Sequence, residues 1–117
     1  MGTFSIQGGV KLKGEVIPQG AKNEALQVIC ACLLTKEKIV IENIPEIIDV
    51  LKLIDLLSSL GVKVIRIKKN KYSFQADDVN VDYLNSKEFK NKGSSLRGSI
   101  MIVGPLLARF GKGYIPK

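Results

Sequence analysis

The chain has 117 residues, a formal net charge of +7 and no histidine. One small domain with anionic partners is expected, and Ser-His-Asp triads, HExxH zinc sites and histidine bases are excluded. Hydrophobic residues make up 45% and charged residues 25%, the balance of a globular rather than a disordered chain.

Thr3-Phe4-Ser5-Ile6-Gln7 alternates polar and apolar, Gly8-Gly9 turns, and Val10 to Ile17 reads as a second extended stretch. Residues 3–17 are therefore predicted to form a hairpin, which needs a second sheet or a helix to cover it. Pro18 and Gly20 close it. A helix follows over Asn23–Leu34. Only Gln27 is polar between Ala25 and Leu34, so the pattern covers the whole circumference and predicts a helix surrounded by protein. Lys22 and Asn23 stand at its mouth. Helix N-termini favour anions, lysine adds a full charge, and asparagine adds a donor and an acceptor. This stretch reads as half of a site for a phosphorylated substrate.

Lys38–Ile44 alternates as a strand. Asp49 is a good N-cap for an amphipathic helix with Val50, Leu53, Ile54, Leu57 and Leu60 at helical spacing, ended by Gly61. Val62–Ile67 and Tyr72–Ala76 form a predicted hairpin about Lys68-Lys69-Asn70-Lys71, whose lysines read as solvated charge. Residues 77–93 are polar, with helical hints at Tyr83-Leu84 and Phe89. Ser94 or Ser95 can cap a last apolar helix, Leu96–Phe110, which Pro105 is expected to kink or break. Arg97 falls in its first turn, where the helix dipole disfavours a cation. The guanidinium then either faces an anionic group or buried carboxylate, or snorkels to solvent. Tyr114–Lys117 begins another extended piece. The predicted order is ββ-α-β-α-ββ-α-β.

Cys30 and Cys32 are the only cysteines. Their i, i+2 spacing on a helix points them to different faces, so they read as buried apolar fillers rather than metal ligands or a disulfide. Reduced cysteines fit a cytoplasmic location. Residues 1–20 lack the apolar core of a signal peptide, and no apolar run reaches the roughly 18 residues of a membrane span. Gly9 to Gly14 has Walker spacing, but Glu15 follows where lysine is needed. Aromatics do not interleave with the basic tracts as single-strand binders require, and the apolar helices suit no groove. What remains is Lys22, Asn23 and Arg97, each near the start of a helix otherwise committed to packing. Lysine neutralises a phosphate as a point charge and arginine grips one with two parallel hydrogen bonds.

FSIQGGVKLKGEVIPQGAKNEAL, NIPEIIDV, LLSSLGVKV and SSLRGSIMIVGPLLARFGKG together resemble the amino-terminal part of the enolpyruvyl transferases, in particular the UDP-N-acetylglucosamine 1-carboxyvinyltransferases. The shikimate-pathway branch is less similar, since a GSKS-type segment is expected there in place of Gly20-Ala21-Lys22-Asn23. The resemblance implies an α/β fold, a portion of an inside-out α/β barrel built from βαβαββ repeats with helices inside and sheets outside. It implies that residues 1–20 are a hairpin belonging to one lobe, and that residues 21–117 begin the other, substrate-binding lobe. It implies transfer of enolpyruvyl from phosphoenolpyruvate to the 3-hydroxyl of UDP-N-acetylglucosamine, the first committed step of peptidoglycan synthesis. It implies that no metal or other cofactor, nucleic acid or membrane takes part. Lys22 would contact phosphoenolpyruvate as the catalytic lysine and lie close to the sugar nucleotide; Asn23 and Arg97 would contact the sugar nucleotide.

In that family a mobile loop carries the general acid, cysteine or aspartate, and its place falls beyond Lys117. Cys30 and Cys32 do not match it. The chain accordingly reads as an amino-terminal fragment without transferase activity of its own, with unpaired surfaces through which it self-associates. The alternatives are a stand-alone basic module for nucleic acid or another polyanion, and a non-catalytic remnant.

Overall fold

The computed structural model of the chain describes residues 2–94 and 101–113. Its regular elements begin with α1 (Lys22–Ala31), which tightens into a 3-10 turn over Cys32–Leu34. The strand β1 (Lys38–Ile41) is followed by α2 (Ile48–Ser59) and the hairpin β2 (Lys63–Lys68) and β3 (Lys71–Gln75). A 3-10 turn at Val81–Asn85, α3 (Lys87–Ser94) and α4 (Val103–Phe110) complete the described elements.

The α2 prediction holds in register. Val50, Leu53, Ile54, Leu57 and Leu60 are all buried, because their spacing sets them on one stripe facing the core. The cap differs. Ile47 is the N-cap residue and makes no side-chain cap, and Asp49 lies inside the first turn. Gly61 ends the helix at φ +104°, and a Cβ there would sit 2.5 Å from the Asp78 carbonyl oxygen, so this position takes glycine alone without a backbone shift.

The sheet has order β1-β3-β2 and both pairings are antiparallel. Asn70 takes the left-handed conformation (φ 65°) in the predicted turn, which asparagine tolerates better than a branched residue. Ile39, Phe74 and Val64 lie in register across the three strands. Phe74 is fully buried and the other two pack on the same core, so the helices cover one face of the sheet. The opposite face sets Val40 and Ile65 either side of Ser73, and both apolar residues are exposed.

Four expectations are corrected. Residues 3–17 form no hairpin: no strand is assigned between residues 2 and 20, and residues 2–19 are exposed throughout. The alternation is present, but a lone two-stranded ribbon without a face to cover it is marginal in water. The strand expected over Lys38–Ile44 stops at Ile41, since Asn43 turns the chain at φ 59°. The apolar helices are not enclosed within this chain. In α1, Ala25, Leu26, Ile29 and Cys30 are buried, while Val28 and Leu34 stay exposed, as does Leu107 of α4. Finally, α4 starts at Val103, so Pro105 falls in its first turn, where a missing N–H breaks no helical bond. Arg97, Ser95 and Tyr114–Lys117 lie outside the described residues, and so does any structural test of their predicted roles.

Candidate functional site

The mouth of α1 is built by a close backbone crossing. Gly20 packs directly on the Asn43 carbonyl and against Pro45, leaving no space for a Cβ. The left-handed turn at Asn43 brings the end of β1 under the start of α1. Gly20, Ala21, Glu24, Val28, Ile41 and Asn43 line a cavity of about 180 Å³ between them.

Lys22 is the first residue of α1 and Asn23 the second. Ala21 occupies the N-cap position in extended conformation and no side chain caps the helix. The mouth therefore keeps uncapped backbone donors beside one ammonium and one carboxamide, all exposed, a set suited to an anion with further hydrogen-bonding groups. Leu26 and Ile29, one and two turns on, are buried in the core and hold the helix in place.

The lysine has a partner that the sequence did not disclose. Lys22 Nζ donates to Asp49 Oδ2 at 3.1 Å, an ion pair about half exposed on both sides. It joins the first turn of α1 to the first turn of α2. Glu46, Ile47, Ile48 and Leu51 form the walls of the open hollow around this pair.

Glu46, just behind, is occupied by other groups. It accepts from Arg66 Nε at 2.9 Å and Nη2 at 3.0 Å, from the Asn70 backbone N–H at 2.9 Å and from the Tyr72 hydroxyl at 2.7 Å. The Arg66 guanidinium first, then the Tyr72 and Asn70 donors, hold its carboxyl down to about 2. This cluster pins the loop after β1 to the β2–β3 hairpin. The NIPE sequence gave no sign of it, since the partners lie 20 to 26 residues away.

Arg109 is likewise structural in place. Its Nη1 donates to the carbonyls of Leu33 and Thr35 at 3.0 and 3.1 Å, and its guanidinium lies over the Phe110 ring at 4.8 Å. It thus latches α4 to the far end of α1. A basic residue one position before a helix-ending Phe-Gly is the only hint in the sequence. Cys30 and Cys32 are buried, as expected. Burial, with the Cys32 charge second, pushes the Cys30 thiol up to about 12, and burial pushes Cys32 up to about 11, so neither is a nucleophile or acid near neutrality. Lys22 and Asn23 are thus brought together at one helix mouth, and Arg97 lies outside the described residues.

Residues 6–116 match the family of EPSP synthase (3-phosphoshikimate 1-carboxyvinyltransferase). The chain belongs to the EPSP synthase family. Within that family it is 54% identical over 117 residues to UDP-N-acetylglucosamine 1-carboxyvinyltransferase of Porphyromonas gingivalis, covering 100% of this chain and 27% of that protein. It is 53% identical over the same span to the enzyme of that name from Bacteroides thetaiotaomicron, with the same coverage. The enolpyruvyl transferase NikO from Streptomyces tendae shares the fold, with a TM-score of 0.65 and 20% identity over 89% of this chain and 23% of that one. The chain thus spans about a quarter of the length of the relatives it resembles.

Proposed function

We propose that this chain is the amino-terminal, substrate-binding part of a UDP-N-acetylglucosamine enolpyruvyl transferase. The observation that carries this reading is the 54% identity to such an enzyme along all 117 residues. The reaction joins the 3-hydroxyl oxygen of UDP-N-acetylglucosamine, which gives up its proton, to the central carbon of phosphoenolpyruvate while a proton adds to the methylene. The tetrahedral adduct then loses phosphate and a methyl proton to leave the enolpyruvyl ether. Charge is concentrated on the phosphate and carboxylate throughout, so preorganised cations supply the stabilisation.

In this reading Lys22 meets the phosphoenolpyruvate anion, Asn23 hydrogen-bonds the sugar nucleotide, and Arg97 grips the nucleotide sugar from the segment preceding α4. The uncapped mouth of α1 and the Gly20–Asn43 crossing support it by presenting the first two side chains from a packed helix. The proton donor, a cysteine or aspartate, is supplied from outside these 117 residues. Residues 1–20 belong to one lobe and 21–117 open the other, with Gly20-Ala21 at the crossing. The exposed apolar positions of α1 and α4 then face further βαβαββ units in an inside-out barrel, where helices lie inside and sheets outside. The enzyme works in the cytoplasm, in keeping with its free cysteines.

Titration of the chain with UDP-N-acetylglucosamine, followed by calorimetry, tests this. Binding that weakens at least tenfold in Lys22→Ala and in Arg97→Ala is expected. Affinity indifferent to both substitutions, with oligonucleotide binding that falls steeply with salt, would instead establish a polyanion-binding module.

A further inference from the structure

The sheet has two open edges, and they differ. Among the described residues β1 and β2 each pair with β3 alone, in the order β1-β3-β2. We infer that the open edge of β1 is a pairing site for a second copy of this chain, joined antiparallel about a two-fold axis at Val40.

An open edge strand offers a row of unpaired N–H and C=O groups to another strand, and proteins guard such edges with charge, bulges or proline. β2 is guarded in two of these ways. Its register slips between Arg66 and Lys68, and Lys63, Arg66 and Lys68 are spread along it, so two copies of β2 repel each other. β1 carries neither device. It pairs with β3 without a slip. Between Lys38 and Glu42 it runs Ile39-Val40-Ile41, three branched residues that suit a strand and include no proline. Residues 2–19 contribute no strand that could shield it. Beside the edge, exposed Val28 of α1 lines one cavity with Ile41 and Glu42, so the apolar strip continues from the strand onto the helix.

The order of charges selects the occupant. In an antiparallel pair centred on Val40, Lys38 of each copy stands opposite Glu42 of the other, and Ile39 stands opposite Ile41. Opposite charges and branched side chains facing each other across strands both stabilise pairing. Lys38 and Glu42 are exposed. Lys71 holds Glu42 through Oε1 at 3.2 Å, yet the Glu42 side chain is still 70% exposed, which leaves Oε2 for the lysine of the second copy. The pairing closes on itself, because each copy offers the same strand once. Two three-stranded sheets then become one of six strands, an ordinary size. The contact is small, so the dimer is a weak one. It forms whether or not Lys22 binds an anion.

Cross-linking of the 117-residue chain in a glutathione redox buffer tests the pairing. Val40 meets its own copy at the axis, so Val40→Cys is expected to form a disulfide-linked dimer. Ile65→Cys, on the same sheet face but on β2 and exposed like Val40, is expected to stay monomeric at the same concentration. Cys30 and Cys32 are buried and do not compete. Adding Lys38→Glu to Val40→Cys sets like charges opposite each other at two places and is expected to slow the cross-link at least about fivefold. Adding Glu42→Lys to that variant exchanges the charges and is expected to recover most of the rate. Far-UV circular dichroism verifies that each variant keeps the fold. No cross-link in Val40→Cys, or one no faster than in Ile65→Cys, overturns the pairing at β1. A Val40→Cys cross-link indifferent to Lys38→Glu, or one that Glu42→Lys fails to recover, overturns the charge-matched register.

Discussion

Glu46 ties the loop after β1 to both strands and the turn of the β2–β3 hairpin. Its carboxylate receives a two-pronged guanidinium, a phenol and a backbone amide, and a group so supplied with donors favours its charged form. Its folded pKa of about 2 lies below the ordinary glutamate value. The sign of the linkage follows: the stabilisation is complete above the unfolded pKa of roughly 4.3 and is lost as pH falls through that value towards 2. Glu46→Gln is expected to lower the urea midpoint at pH 7 and to flatten its fall between pH 5 and pH 2, measured by circular dichroism. A midpoint that falls with acid as steeply in the variant as in the wild type would show that other carboxylates govern the acid limb. None of this was legible in the sequence, where Glu46 is one acid after a proline and its donors come from a hairpin 20 residues on. The position of Lys22 and Asn23 at a helix start was legible, because that needs only local pattern. The Asp49 partner was not, because the same residue type that caps a helix also pairs with a cation, and the choice between them depends on where a second helix begins.

At the scale of elements, legibility followed the locality of the forces. The α2 stripe and the β2–β3 hairpin are fixed by spacing and by a turn, and both were predictable to within a residue or two. The hairpin expected at residues 3–17 had the right alternation and failed for want of a face to pack against. The all-round apolar pattern of α1 predicted enclosure, yet only one side meets the core of this chain, since periodicity reports what a helix can bury and not what is present to bury it. The join between α4 and the end of α1 depends on Arg109, which satisfies two carbonyls left open as α1 tightens and ends. Charge-assisted hydrogen bonds of this kind contribute roughly 1.5–3 kcal/mol. Arg109→Ala is expected to destabilise by about 2 kcal/mol, with part of the loss due to packing over Phe110. Chemical denaturation measures it. A change below about 0.5 kcal/mol would mean that water replaces the guanidinium without cost.

At the scale of the whole molecule, one face of the sheet is covered by helices and much apolar surface is left over. Phe4, Ile6, Leu12, Val16 and Ile17 each keep more than four-fifths of their surface, and Val28, Leu34 and Leu107 add to it. A surface of that kind favours association. Sedimentation of the 117-residue chain is expected to show mass rising with concentration, and deletion of residues 2–19 is expected to reduce the effect. A strict monomer at every concentration would show that the exposed residues do not cohere. The mixed α/β character was readable from the sequence because helical and strand periods alternate from Lys22 onward. What covers the exposed apolar residues was not readable from composition or period, as these describe how a segment packs and not which partner it packs on.

The placement of Glu46 also bears on how the sheet opens. A hairpin opens most readily at the end remote from its turn, because the turn ties the two strands together at the tip. Here the tip residue Asn70 gives its N–H to Glu46 and its carbonyl accepts from Ile44 N–H at 2.9 Å. The tip is thus fastened twice over, and opening of the sheet is expected to begin at the opposite end, where Lys38, Gln75 and Lys63 meet in register. The three strands resemble a fan riveted at the turn beside the mouth of α1, and amide exchange is expected to be faster at the Lys38–Gln75–Lys63 edge, near the far end of α1, than at Ile44 and Asn70.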